Sequence, residues 1–102
     1  MRRIDLDSIE RYVADEIMRL AWLMYRDSII GYDRTPDPNS GKENLTFVFA
    51  DDADFYGFET EVCGMISGRQ ASYGLCKREV SEDDPTLPKK KIPFPDLPTH
   101  PL

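Results

Sequence analysis

Cys63, Cys76 and His100 are the soft-ligand and nucleophile-type side chains of this 102-residue chain, and their placement suits neither metal nor nucleophilic chemistry. A structural zinc site gathers four such groups, and a nucleophile needs a base beside it. His100 instead stands near the end of a proline-rich segment, remote in sequence from both thiols. Asp52, Asp54 and Gly57 fall at positions one, three and six of a calcium-binding loop, but Cys63 takes position twelve, where a bidentate glutamate belongs. Asp54, Tyr56, Glu59, Glu61 and Tyr73 supply groups for acid–base chemistry. Carboxylates on an exposed strand face keep ordinary pKa values, so availability alone does not make a catalyst. The expectation is a protein with no catalytic, cofactor-binding or metal-binding residues.

Charge points instead to a partner. The formal net charge is −6, and residues 51–66 carry Asp51, Asp52, Asp54, Glu59 and Glu61 without a single Lys or Arg. Such a patch repels phosphate and attracts basic surfaces, which predicts a protein partner with a basic face and no direct nucleic-acid binding. No apolar run approaches the roughly 18 residues of a membrane-spanning helix, and Met1–Asp5 turns acidic too soon for a signal peptide. A cytoplasmic location is expected, where both cysteines stay reduced.

The first element reads as a helix. Asp5 or Asp7 serves as its N-cap, and Ile9, Val13, Ile17, Leu20 and Met24 recur at three- and four-residue steps up to a stop at Gly31. From Ile17 to Ile30 ten of fourteen residues are apolar, so Met18, Trp22, Tyr25 and Ile29 make a second apolar line. One sheet face cannot cover both lines, which marks these four residues as a self-association or partner face. Residues 32–44, with Pro36, Pro38, Asn39 and Gly41, read as a loop.

A strand is predicted over 45–50, a turn at 51–54 and a second strand over 55–66. Phe55, Phe58, Val62 and Ile66 also have helical spacing, but Gly57 and Gly64 would each cost about 1 kcal/mol inside a helix. Ser67-Gly68-Arg69-Gln70 suits a type II′ hairpin turn, which sets Gly64 opposite Tyr73 and Val62 opposite Leu75. In that register Cys63 and Cys76 are diagonal neighbours, about 7 to 8 Å apart at their backbones and beyond disulfide reach. Two free thiols are expected.

Prolines 85, 88, 93, 95, 98 and 101 keep residues 81–102 out of helix and central strand, predicting an extended arm anchored by Ile92, Phe94 and Leu97. Lys89, Lys90 and Lys91 complement the acidic patch of the same or another copy. Together these readings give an α+β fold, with one N-terminal helix packed on a three-stranded antiparallel sheet in a domain of residues 1–80, followed by the proline-rich arm. The expected role is that of a small, acidic, non-enzymatic protein-binding protein, homodimeric through its second apolar line. An inhibitor or immunity type fits, such as a phage-encoded inhibitor of a host defence protein. The alternatives are a structural or accessory subunit of a virion or multi-subunit complex that uses the arm, and a small enzyme using carboxylate and tyrosine acid–base chemistry.

Overall fold

The computed structural model describes residues 1–88; the expected arm anchors Ile92, Phe94 and Leu97, with the lysine run and His100, lie outside the described residues. Alternation builds the first strand. In β1 (Arg2–Ile9) Ile4 and Leu6 are buried while Arg3, Asp5 and Asp7 point to the opposite face. Asp5 and Asp7 are therefore strand residues and cap no helix, which corrects the expected start. At Leu6–Ile9 the register with β3 slips, and Ser8 adopts a left-handed φ of 62°. Its N–H donates to Asn44 Oδ1 at 3.1 Å and its carbonyl accepts from Gln70 Nε2 at 2.9 Å, so the bulge is fastened from two sides.

Helix α1 (Arg11–Leu20) follows and ends in one π-helical turn, Ala21–Tyr25. The chain then enters β2 (Ile29–Pro36), an edge strand where a loop was expected, with Pro36 at its outer end. A short turn leads into β3 (Glu43–Phe49), which matches the expected strand over 45–50. Next comes α2 (Asp52–Ser67), and β4 (Gly74–Glu79) closes the sheet. The strand order is β2-β3-β1-β4 with every neighbouring pair antiparallel. This is the βαββαβ arrangement of two interleaved split βαβ units, as in ferredoxin-like folds.

The fold is thus α+β, with two helices and four strands where one helix and three strands were expected. Asp51 caps α2 by accepting from the Asp54 N–H at 3.1 Å, and Phe55, Phe58, Val62 and Ile66 form its buried stripe. The helical spacing of these residues prevails over the glycine cost because the stripe completes the core. The type II′ hairpin does not exist: Gly68 has φ −82°, and the Arg69 and Gln70 N–H groups both bond back to the Ile66 carbonyl.

Both helices cover one face of the sheet. Between them and Ile4, Leu6, Leu45, Phe47 and Phe49 lies a core rich in aromatics, in which Phe58 meets Phe47 and Phe49 at ring-centroid distances of 4.9 and 5.1 Å. Neither helix crosses the other face.

Candidate functional site

The acidic residues singled out by the sequence are all carried on α2 or its cap, but they are not equivalent. Asp51 and Asp52 are exposed at the helix N-terminus, where negative charge complements the helix dipole. Arg2 Nε lies 3.5 Å from Asp52, and the same guanidinium sits 5.5 Å from the centre of the Tyr56 ring. Asp54 accepts from the Ser28 hydroxyl, and Glu59 is paired with Lys77 of β4. Glu61 is exposed and pairs with no cation among the described residues. The outward charge of the patch therefore comes from Asp51, Asp52 and Glu61, while Asp54 and Glu59 fasten α2 to the rest of the fold.

The apolar line of Met18, Trp22, Tyr25 and Ile29 is divided by the structure. Met18 and Ile29 belong to the buried core, at 4% and 1% exposure, and offer no surface. The physical reason is that Ile29 leaves the helix and enters β2, opposite Phe49. Trp22 and Tyr25 are half-buried. Trp22 packs against the core edge under the Arg26 guanidinium, 4.9 Å from its ring centre, and Tyr25 stands edge-on to Phe49 and Phe58. Between Trp22 and Tyr25, Leu23 and Met24 face solvent at 57% and 67% exposure, a pair that the sequence does not single out as a surface. The π-helical turn turns Ala21 and Tyr25 inward and leaves these two outside. Widened turns of this kind interrupt regular helix geometry and recur at functional sites.

Tyr25 joins the apolar pair to the acidic helix. Its hydroxyl lies 3.0 Å from where a Cβ on Gly57 would stand. Burial, followed by the nearby charges of Glu61 and Asp54, raises its pKa above the ordinary tyrosine value. A strip thus runs from Leu23 and Met24, past Tyr25, to Glu61, while the exposed Tyr56 and Asp52 stand on the other flank of α2 beside Arg2.

The groups named for acid–base chemistry fall on two sides of α2: Asp54 and Glu61 lie near Tyr25, while Glu59 is paired with Lys77, with Tyr56 and Cys63 near the same ammonium and Tyr73 beside Cys63. Asp52, Asp54 and Gly57 lie within a helix, so no calcium loop forms, and no group of three or more metal-ligating side chains occurs among the described residues. Cys63 and Cys76 are both free. Their separation has a different cause from the expected one: Cys63 is on α2, while Cys76 lies on the helix-free face of the sheet opposite Asp5.

A second polar cluster has no signature in the sequence. Glu43, at the start of β3, is the buried charged residue of the described chain, and it receives Arg34 of β2 with Arg11 of α1 at 3.7 Å. Arg34 also reaches Asp15 at 2.8 Å, so the group closes on itself and staples α1 to the sheet edge.

On the helix-free face, one rung of the sheet places Gly31, Val48, Arg3 and Arg78 side by side across all four strands. Residues 81–88 lie over this rung. The Val80 N–H bonds to the Met1 carbonyl at 2.9 Å, and two successive turns follow, closed by Asp84 N–H to Ser81 at 3.1 Å and Leu87 N–H to Asp84 at 3.3 Å. The expected extended conformation is replaced over these residues by turns, because the Asp84 carboxylate accepts from both the N–H and the hydroxyl of Thr86. Arg3 Nη1 donates to the Thr86 carbonyl at 2.9 Å, Arg78 lies 3.7 Å from Asp84, and the Pro88 carbonyl and ring lie over Gly31.

No protein-family model and no curated protein matches the chain. The site is therefore read from its own geometry. Among the described residues no helix is long and apolar enough to cross a membrane.

Proposed function

We propose that this protein acts by binding another protein, as a small non-enzymatic inhibitor or immunity-type protein working in the cytoplasm. Its binding surface is the strip formed by Leu23, Met24, Tyr25 and Glu61, with the exposed carboxylates Asp51 and Asp52 at the N-terminus of α2 adding to the negative charge around it. The observation that carries this reading is the position of Tyr25, which sets two strongly exposed apolar side chains beside carboxylates with few cations of their own. An apolar centre with a charged rim is the common anatomy of a protein interface, and aromatic residues are enriched there. The sign of the rim selects a partner with a basic border, because complementary charge speeds encounter and discourages wrong partners.

Affinity capture from the cells in which the protein functions tests this. The native chain is expected to retain a basic protein, with retention falling as salt rises. Leu23→Asp and the reversal Glu61→Lys, at the one outward carboxylate that neither caps α2 nor pairs with Arg2, should each weaken retention of that protein while keeping the native thermal midpoint. Undiminished retention of the same protein by both variants would overturn the reading.

A further inference from the structure

The helix-free face of the sheet is covered by a segment that is poorly buried itself. Ser81, Glu82, Asp83, Pro85 and Thr86 are exposed, yet Val48 beneath them is 1% exposed and lies outside the main core cluster. Arg3, already fixed by Asp5 at 3.0 Å, keeps Nη1 turned outward to the Thr86 carbonyl. Asp5 is fixed in turn by the Thr46 hydroxyl at 2.6 Å. The face thus holds a preorganised guanidinium, a second cation at the edge in Arg78, and a bare backbone at Gly31 against which a proline ring fits. A segment with few buried groups opens locally at a much smaller free-energy cost than global unfolding.

We propose that this face is a docking surface for an acidic, proline-containing turn presented by another protein, and that residues 81–88 occupy it as an intramolecular competitor. The seated segment displays the chemistry required: a carboxylate for Arg78, a backbone carbonyl for Arg3, and a proline on Gly31. Because a tethered segment acts at an effective concentration of about millimolar, an incoming turn binds only when it outcompetes that local excess. The surface is separate from the strip on α2 and does not depend on it.

The test uses the full chain and a fluorescein-labelled peptide with the sequence of residues 80–88. In the double variant Asp84→Lys, Pro88→Asp, the chain's own segment loses its carboxylate at Arg78 and its proline ring at Gly31 while the face stays intact. Anisotropy titration is expected to show peptide binding at least about tenfold tighter to this variant than to the native chain. Adding either Gly31→Val, which puts side-chain atoms where Pro88 sits, or Arg78→Glu, at the exposed edge, should abolish it. Equal affinity for native chain and double variant, no binding to the double variant, or binding indifferent to both added substitutions would each overturn the proposal. A native chain whose mass doubles with concentration, and whose dimer disappears in the double variant, would assign the face to the segment of a second copy and overturn the choice of partner.

Discussion

The Tyr25 hydroxyl stands 3.0 Å from the place a Cβ on Gly57 would take, so the turn after α1 is pressed against the backbone of α2. Alanine at position 57 would gain about 1 kcal/mol in helix propensity. It would also push into a ring held edge-on to Phe49 and Phe58, with centroids 6.1 and 5.5 Å away, and overpacking of this kind costs roughly 1 to 3 kcal/mol. Gly57→Ala is therefore expected to destabilise the native chain by about 1 kcal/mol, and to become neutral or stabilising once Tyr25→Phe removes the hydroxyl. Urea unfolding of the four chains in that cycle measures the coupling.

Gly64 is the control, because among the described residues no atom outside its own stretch of helix lies within 4 Å of its missing Cβ. Gly64→Ala should stabilise the protein by about 1 kcal/mol in the same unfolding measurement. A loss of stability there would mean that the outer face of α2 is covered by something.

These two glycines show why α2 was hard to read from the sequence. The stripe Phe55, Phe58, Val62, Ile66 and the capping Asp51 were both legible, but the glycines argued for a strand. The reason for Gly57 lies in Tyr25, thirty-two positions away in the chain. β1 failed differently. The alternation of Ile4 and Leu6 with Arg3, Asp5 and Asp7 was visible, yet aspartates before an apolar stripe also fit a helix cap, and only pairing with β3 and β4 decides between them. The acidic patch was legible as a set of residues, but which members point outward depends on Ser28 and Lys77, contacts that local patterning does not reveal. Leu23 and Met24 were hidden inside a long apolar run, and the π-helical turn that selects them has no sequence signal of its own.

Tyr25 also sets a pH dependence. Burial first, then Glu61 and Asp54, raise its pKa above the ordinary value near 10, and burial raises those of Tyr32 and Tyr73 as well. Below about pH 10 folded and unfolded chains both keep these protons, so the contribution to stability is fully present. Above that the unfolded chain ionises first and binds fewer protons, so stability falls as pH rises toward the folded-state values. Denaturation midpoints should drop between about pH 9 and 11, and Tyr25→Phe should flatten part of that drop. An unchanged slope in the variant would remove Tyr25 from the account.

The two thiols report on the layering of the fold. Cys76 is exposed on the helix-free face, whereas Cys63 is half-buried on α2, so the sheet separates them. An intact mass without reductant should show no loss of 2 Da from an intramolecular disulfide, and maleimide should label Cys76 well before Cys63. After denaturation the two rates should converge. Equal labelling rates in the folded protein would contradict the placement of α2.

Substitutions along the end of α1 separate core from surface. Met18→Ala and Ile29→Ala remove fully enclosed side chains and should each cost about 2 to 5 kcal/mol. Trp22→Ala removes a half-buried ring that also carries Arg26, and about 2 kcal/mol is expected, below the roughly 3 to 5 of a fully buried aromatic. Leu23→Asp and Met24→Asp alter side chains already in water and should change stability by no more than about 0.5 kcal/mol. If the exposed pair forms the apolar centre of the binding strip, these last two substitutions should remove partner capture while leaving the unfolding curve in place. A variant at Leu23 or Met24 that unfolds as readily as Met18→Ala would show that the pair is enclosed in the protein as it exists in solution, and would withdraw the apolar half of the strip.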